Sequence, residues 1–299
     1  MKPPGEIPLG EWADRLDALI ESEGVTVVKR ARVFGEVAST QDTARDAGPG
    51  VLIACDKQTE GRGRLGRSWD QSNGLGLAAT FAIDGSSKTD AELSLASGLA
   101  LCKACEGALG TRSVARPMKR MTPTDAALSA MSLPIALASL MLKKPAPIGL
   151  RWPNDVVETN KRTARKVGGV LIERSGDTAL IGFGVNVLQA ETDWPDELLT
   201  KAASLRQLRS HASRFEVLGR LMLELEEALG LSSKVLAQRW AERDVLTGTT
   251  QTFTNGNERV TGSVLAVRPS SDIMVRVQGG RKVRLPAETT SLVHNDEGV

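Results

Sequence analysis

The 299-residue chain contains no tyrosine, two histidines and three cysteines. Three cysteines cannot build a disulfide framework, and aromatic residues, at 3% of the chain, are too few for a platform that stacks single-stranded nucleic acid. No apolar run approaches the ~20 residues of a membrane-spanning helix. The N-terminal segment also lacks the apolar stretch of a signal peptide. We therefore expect a cytoplasmic protein with no membrane partner.

The net charge is also small. The chain has 38 Lys and Arg residues and 36 Asp and Glu residues, which gives a formal charge of +2. General coating of nucleic acid needs a broad basic face, so this balance argues against it. Apolar residues make up 41% and charged residues 25%, which is ordinary for a soluble globular protein. At ~150 residues per domain, the length favours two domains.

Two of the cysteines, Cys102 and Cys105, form a C-x-x-C sequence that is also found in redox and zinc sites. The surrounding residues 93–110 space their apolar side chains as a helix does, with no turn between the cysteines. The two histidines, His211 and His294, are both remote in sequence. We interpret the pair as ordinary packing in a helix.

Hydrophobic periodicity predicts an alternation of helices and strands, followed by a change in composition near residue 245. The predicted helices are 11–22, 40–47, 91–109, 124–142, 213–229 and 233–243. The predicted strands are 25–34, 51–55, 75–83, 148–151, 155–158, 167–173 and 178–187. We predict an α+β main domain at 1–244 and a small C-terminal all-β, barrel-like domain at 245–299.

The most informative segment, Gly61 to Arg67, reads GRGRLGR, with three arginines and no acid. It matches G-x-G-x-x-G, but polar residues precede it and no apolar helix follows, so a dinucleotide fold is disfavoured. Arginine matches carboxylate and phosphate, and glycine lets the backbone approach a ligand closely. We expect an anion-binding loop that stays mobile until the anion arrives, because its charges repel one another. A solvated turn and a nucleic-acid contact are the alternatives.

Further segments accompany this loop in a fixed order. They are Ser39-Thr40-Gln41, Gln58, Arg151-Trp152-Pro153-Asn154-Asp155, Lys166-Val167-Gly168-Gly169-Val170-Leu171 and Gly182-Phe183-Gly184-Val185-Asn186-Val187. The order closely resembles the biotin protein ligases (biotin–acetyl-CoA-carboxylase ligases) over about residues 30–190. The resemblance implies a mixed-sheet catalytic domain of the biotin/lipoate ligase type, with the C-terminal β module in its expected place. The stretch at about 111–146 is an unusual insertion by comparison.

The resemblance also implies an ATP-dependent, AMP-forming ligase. Such an enzyme makes biotinyl-5′-AMP from biotin and ATP, with Mg²⁺, and transfers biotin to one lysine of a biotin carboxyl carrier domain of a carboxylase. A homodimer is compatible with this family. Only about 38 residues precede Ser39, so we expect neither the DNA-binding domain of some relatives nor a specific DNA partner.

The resemblance carries over to individual residues. The implied biotin contacts are Ser39, Thr40, Gln41, Gln58, Arg62, Gly63, Arg64, Lys166 and Gly169. The implied ATP or adenylate contacts are Arg64, Arg67, Trp69, Asn154, Lys166 and Asn186. Lys166 and Arg64 would be catalytic by neutralising charge during attack on the α-phosphate. Asp155 would be a magnesium ligand or a turn cap. Residues 61–70 would form a lid, with Trp69 as an apolar plug.

Two other functions stay open. The first is a lipoate or octanoate ligase or transferase of the same superfamily, although polar Ser39, Thr40 and Gln58 do not suit a purely fatty-acyl tunnel. The second is a nucleic-acid-binding regulatory protein that uses the arginine loop. Pyrophosphate release with biotin alone would favour the biotin ligase over both.

Overall fold

The computed structural model describes residues 6–69, 74–110, 147–159, 164–269 and 271–293. The predicted helix at 124–142 and the insertion at about 111–146 lie outside these ranges. Within them, no helix is long and apolar enough to cross a membrane.

The described residues form helices and strands close to those predicted. The α-helices are α1 (Trp12–Glu23), α2 (Thr40–Ala47), α3 (Asp90–Ala108), α4 (Arg214–Leu229) and α5 (Ser233–Ala241). The strands of the main domain are β1 (Arg30–Val37), β2 (Val51–Gln58), β3 (Gly76–Asp84), β4 (Ile148–Arg151), β5 (Asp155–Glu158), β6 (Lys166–Ser175) and β7 (Thr178–Asn186). Those of the C-terminal module are β8 (Thr250–Asn255), β9 (Glu258–Arg268), β10 (Asp272–Val277), β11 (Lys282–Pro286) and β12 (Thr290–Leu292).

The first seven strands form one mixed sheet in the order β1-β2-β3-β7-β6-β5-β4. Strand β1 is parallel to β2, and the other neighbours are antiparallel. Helices cover both faces of this sheet. Leu52 and Ala54 of β2 join the main core with α1, α3 and α4, whereas Val51 and Ile53 pack with Ala44 of α2. The alternation of side chains along β2 therefore puts α2 on the opposite face from the larger helices, and the predicted α+β mixed-sheet fold is confirmed.

The predicted strand at 25–34 is wrong at its start, because β1 begins at Arg30. A carboxylate of α4 binds the preceding residues instead. Glu226 accepts hydrogen bonds from the backbone N–H groups of Thr26 and Val27, both at 2.9 Å, and from the Thr26 hydroxyl at 2.6 Å. These bonds satisfy backbone donors that a strand would pair with its neighbour, so the β-branched run remains irregular.

Cys102 and Cys105 both lie within α3, and both are buried and free of disulfides. Burial, together with the charge of Glu106, raises the pKa of Cys105 to about 12. Among the described residues, no group of three or more His, Cys, Asp or Glu side chains could hold a metal ion. Both side chains pack in the main core, which confirms the interpretation as helix packing.

The five C-terminal strands form a separate antiparallel sheet in the order β11-β10-β9-β8-β12, which confirms the all-β module. The segment that precedes this module is hydrogen-bonded to the edge of the main sheet. Leu150 of β4 donates to the Arg243 carbonyl at 2.7 Å and accepts from the Val245 N–H at 3.0 Å. The exact boundary at 244/245 stays a prediction.

Candidate functional site

A cleft with about 1020 Å³ of empty space, counted to its open mouth, lies between α2, the glycine-rich parts of β6 and β7, residues 62–69 and β12. Most of the residues selected from the sequence line it. They are Ser39, Thr40, Gln41, Gln58, Arg62, Gly63, Arg64, Arg67, Trp69, Asn154, Asp155, Lys166 and Gly169. The exception is Asn186, which is buried behind Lys166. Its side-chain amide donates to the Lys166 carbonyl at 3.1 Å, so it supports that residue's backbone.

The start of α2 supplies a polar wall. Ser39 is the N-cap of α2, and its hydroxyl accepts from the Gln41 N–H at 3.2 Å. The Thr40 N–H and hydroxyl donate to Gln58 Oε1 at 2.8 and 3.0 Å. Gln41 Nε2 donates to the Leu171 carbonyl at 3.0 Å, while its Oε1 is buried with no hydrogen-bond partner among the described residues. A buried acceptor without a partner is unfavourable, so Gln41 Oε1 is suited to accept from a ligand N–H.

Two glycines of β7 leave the floor of the cleft without side chains. A Cβ at Gly182 would lie 2.7 Å from Gln41 Nε2, and one at Gly184 would lie 2.4 Å from the Trp69 ring. Phe183, between them, joins the main core. Because side chains alternate along a strand, the sequence Gly-Phe-Gly presents bare backbone to the cleft and an aromatic ring to the core.

A cluster of three charges lies beside this floor. Asp155, at the start of β5, accepts from Lys166 Nζ at 2.6 Å and from Arg151 Nη2 at 3.0 Å. Lys166 Nζ lies 5.3 Å from the centroid of the Trp69 ring. A Cβ at Gly169 would lie 2.8 Å from that nitrogen, so the glycine makes room for the ammonium group.

The cluster fixes the charge of its carboxylate. Burial alone would raise the pKa of Asp155, but the positive charges of Lys166 and Arg151 outweigh it and lower that pKa to about 2. Asp155 therefore stays ionised at neutral pH and holds the ammonium group at the edge of the cleft.

The arginine segment is a tight hairpin. Gly63 donates to the Arg67 carbonyl at 2.7 Å, and Trp69 donates to the Gly61 carbonyl at 2.8 Å. At its tip Leu65 has a left-handed φ of +56° and is 57% exposed. No other large hydrophobic residue among those described is exposed.

The three arginines do not share one partner. Arg62 pairs with Asp42 of α2, while Arg64 Nη2 donates to the Ala287 carbonyl of the C-terminal module. Burial lowers the pKa of Arg64, and the nearby Asp155 carboxylate partly offsets this effect. Separate partners for Arg62 and Arg64 offset part of the repulsion on which we based the expectation of a mobile loop. The mobility of the loop before an anion arrives stays a prediction.

The sequence did not indicate several residues in or next to the cleft. Thr290, Ser291 and Leu292 of β12 line the cleft, and no motif in that strand indicated it. Asp42, which binds Arg62, follows the Ser39-Thr40-Gln41 segment directly. Arg151 belonged to a recognised motif, but its pairing with Asp155 was not foreseen.

Both oxygens of Asp155 accept from cations in this arrangement. Mg²⁺ that accompanies a nucleotide is usually bound by one or two carboxylates together with water and substrate phosphates. A magnesium role for Asp155 therefore stays a prediction from the sequence.

The chain belongs to the biotin/lipoate A/B protein ligase family, whose model matches residues 34–187. The match spans every cleft segment except β12. It includes the polar wall, the arginine hairpin, the charge cluster and the glycines of β7.

Individual relatives agree with this assignment. The biotin–[acetyl-CoA-carboxylase] ligase of Mycobacterium tuberculosis is 32% identical over 178 residues, covering 59% of this chain and 53% of that protein. The bifunctional ligase/repressor BirA of Bacillus subtilis is 29% identical over 183 residues, covering 57% of this chain and 44% of that protein. The chain thus spans about half the length of the curated relatives it matches.

Solved structures share the architecture. A biotin protein ligase from Aquifex aeolicus, in complex with biotin and ATP, has a TM-score of 0.65 and 25% identity, covering 89% of this chain and all of that one. A biotin protein ligase from Leishmania major, in complex with biotinyl-5-AMP, has a TM-score of 0.52 and 20% identity, covering 85% and 98%. The second likeness concerns the fold alone.

Proposed function

We propose that this chain is an ATP-dependent biotin protein ligase, which converts biotin to biotinyl-5′-AMP and transfers the biotinyl group to a specific lysine of a carrier domain. The observation that carries the proposal is a single cleft that has a polar wall at one side and Lys166 and Arg64 at another. Family membership supports it, as do relatives named for biotin ligation.

The polar wall suits the fused cyclic urea of biotin. A urea has two N–H donors and one carbonyl acceptor, so its site must offer both acceptors and donors. Gln41 Oε1 is an unpartnered buried acceptor, and the hydroxyls of Ser39 and Thr40 lie beside it. A saturated fatty-acyl chain offers this wall nothing to pair with, which favours biotin over octanoate.

In the first step the biotin carboxylate attacks the α-phosphorus of ATP. A carboxylate–phosphorus bond forms, and the bond to the β-phosphate oxygen breaks to release pyrophosphate. Lys166 and Arg64 neutralise the two repelling anions. Asp155 keeps the Lys166 ammonium group at the cleft. Alignment of two reactants can lower a barrier by ~7–11 kcal/mol, so positioning in the cleft contributes beside charge neutralisation.

In the second step the carrier lysine amine attacks the acyl carbon of biotinyl-5′-AMP, and AMP leaves as the acyl–oxygen bond breaks. Until then the mixed anhydride must be kept from water. The hairpin at 61–69 lies over the cleft, with Trp69 packed against the β7 backbone and above Lys166. We propose that this hairpin is the lid and that Arg67 faces the adenylate.

Asn154 is proposed to act on the ATP side of the cleft, where its side-chain amide is anchored on the Val170 carbonyl. We propose that Mg²⁺ enters bound mainly to the triphosphate, because Asp155 is committed to two cations. No step is assigned to the ion. The ATP role of Asn186 would be indirect, through the Lys166 backbone that it supports.

The proposed partner is the biotin carboxyl carrier domain of a biotin-dependent carboxylase, in keeping with the name of the Mycobacterium tuberculosis relative. A homodimer, the absence of a specific DNA partner and a cytoplasmic location stay predictions from the sequence.

The test is substrate-dependent pyrophosphate release. The full chain is incubated with ATP, Mg²⁺ and either biotin, lipoate or octanoate. Release with biotin alone, followed by labelling of an added carrier domain on one lysine, is the expected result. Release with lipoate or octanoate but not biotin would contradict the proposal in favour of the related ligases. No release, together with salt-sensitive nucleic-acid binding, would favour the regulatory alternative.

A further inference from the structure

Four charged side chains at the rim of the cleft form a closed ring, the charge ring. It is made of Arg62, which lines the cleft, and of Asp42, Arg45 and Glu173, which do not. Arg62 donates through both terminal nitrogens to the two Asp42 oxygens, each at 2.8 Å. Arg45 donates to Asp42 at 2.5 Å and to Glu173 at 2.7 Å, and Arg62 closes the ring to Glu173 at 3.5 Å. The charges alternate and sum to zero.

The charge ring ties the hairpin to the side of the site that carries the polar wall. Asp42 and Arg45 belong to α2, which carries Thr40 and Gln41 of that wall. Glu173 belongs to the part of β6 that lies beside α2, where it pairs with Arg45. Arg62 is thus the link between the hairpin, α2 and this part of β6.

The hairpin has a second attachment on its other side. Arg64 donates to the Ala287 carbonyl, which precedes β12 in the C-terminal module. The two attachments differ in chemistry. Arg64 is half-buried, and its partner is a backbone carbonyl, which a substitution at Ala287 would not remove. The charge ring is made of side chains alone, which are 28–39% exposed and can each be substituted.

We propose that Asp42 is a positioning residue, which holds the hairpin closed over the cleft through Arg62 and so governs how long the activated intermediate is retained. The inference rests on the proposed function for the identity of that intermediate. Asp42 touches no substrate in this account. The fork-to-fork pairing of arginine and carboxylate fixes the hairpin in one position, because it requires a defined orientation of both groups.

Solvent exposure makes this attachment reversible. An exposed ion pair contributes little to folding stability and is screened by salt. The hairpin therefore opens readily at the charge ring to admit substrates and the carrier lysine, and higher ionic strength favours the open position.

The first experiment follows opening without any ligase chemistry. Trypsin cleaves after arginine, so initial cleavage rates after Arg62, Arg64 and Arg67 are measured by mass spectrometry in the ligand-free full chain. Asp42→Asn is expected to raise them about three- to five-fold, the factor that an exposed pair supplies. Glu11→Gln breaks a comparable exposed pair with Arg15 and should leave them unchanged. Equal rates in wild type and Asp42→Asn would overturn the proposal.

The second experiment measures release of free biotinyl-5′-AMP from the loaded enzyme. Asp42→Asn should raise the release rate by about the same factor, with Asp42→Glu restoring part of the retention. Release from wild type should rise with ionic strength, and release from the variant should respond less. A variant that releases faster but keeps the wild-type salt response would contradict a role through the ring.

Failure of the proposed function is distinguishable from failure of this inference. A chain that forms no biotinyl-5′-AMP but shows the expected tryptic pattern would refute the ligase and retain the attachment. If Asp42→Asn did not fold, Arg45→Gln would replace it, because Arg45 bridges the same two acids. Unchanged cleavage and release in that variant would then count against the ring.

Discussion

Two carboxylates of the site each lie between two cations, yet burial gives them different tasks. Asp155 is inside, between Lys166 and Arg151, and its side chain is 18% exposed. Asp42 is at the rim, between Arg62 and Arg45, with its side chain 39% exposed. The same pairing of charges fixes an ammonium group beside the cleft in one place and fastens a hairpin in the other.

The difference follows from the dielectric environment. In a buried cluster, removing one partner leaves another charge without compensation, which is strongly destabilising. In an exposed ring, water and salt ions compensate for a lost partner. We therefore expect changes at Asp155 and Lys166 to alter chemistry and stability, and changes at Asp42 to alter retention of the intermediate while stability hardly changes.

The largest effect is expected at the ammonium group itself. Lys166→Ala should slow biotinyl-5′-AMP formation ~10²–10³-fold, the scale for losing one charge-stabilising donor. Pyrophosphate release under single-turnover conditions measures it. Lys282→Ala, in the exposed part of β11, is the matched control and should keep the wild-type rate. An unaltered rate in Lys166→Ala would remove this residue from the mechanism.

Next in size is the pH dependence contributed by Asp155. Its folded-state pKa, at about 2, lies below the ordinary value of 3.8. The ionised form is therefore stabilised by folding. The contribution of Asp155 to the free energy of unfolding is present above pH 4 and is lost as pH falls towards 2. A shift of this size corresponds to about 2 kcal/mol.

Unfolding of wild type and Asp155→Asn at several pH values isolates that contribution. The difference in unfolding free energy should be constant from pH 7 to about pH 5 and should shrink below pH 4. A difference that stays constant down to pH 3 would show that the carboxylate is not held ionised by Lys166 and Arg151.

A smaller effect is expected where the hairpin meets the C-terminal module. Arg64→Ala removes a charge-assisted hydrogen bond to the Ala287 carbonyl as well as a cation of the cleft. Release of free biotinyl-5′-AMP should rise roughly ten-fold, the lower end for a hydrogen bond to a charged group. Quenching the reaction and separating free from bound intermediate measures it, with Arg284→Ala in β11 as the control. Normal retention would argue against the lid.

The smallest effect is expected for the stability of a variant at Asp42. Asp42→Asn should change the unfolding free energy by no more than ~1 kcal/mol, since exposed ion pairs contribute little to stability. Chemical denaturation measures it beside Asp155→Asn. A loss at Asp42 as large as that at Asp155 would show that the rim and the interior do not differ as described.

Local signals predicted the parts of this molecule that depend on neighbouring residues. Helix α2 has the bounds predicted at 40–47, and the alternation in Gly182-Phe183-Gly184 follows from the two faces of a strand. Nearly all of the side chains that we selected from the order of the motifs lie in one cleft. These features are encoded within a few residues, or within a pattern recognisable as a whole.

Contacts between residues far apart in the chain could not be predicted from the sequence. Residues 25–28 have the β-branched composition of a strand, but a carboxylate 200 positions away binds their backbone. The Arg64 contact with Ala287 spans 223 positions and has no sequence signature. Asn186 has the polarity of a ligand contact, yet it turns to the Lys166 carbonyl. In each case a partner distant in the chain decides the outcome.

A crystal structure of the full chain grown with biotin and ATP would show whether the polar wall and the charge cluster bind opposite ends of one ligand. We expect biotinyl-5′-AMP in the cleft, with the ureido ring against Thr40 and Gln41 and the phosphate within hydrogen-bonding distance of Lys166 and Arg64. Ligand bound elsewhere, with the hairpin and Lys166 untouched, would contradict it.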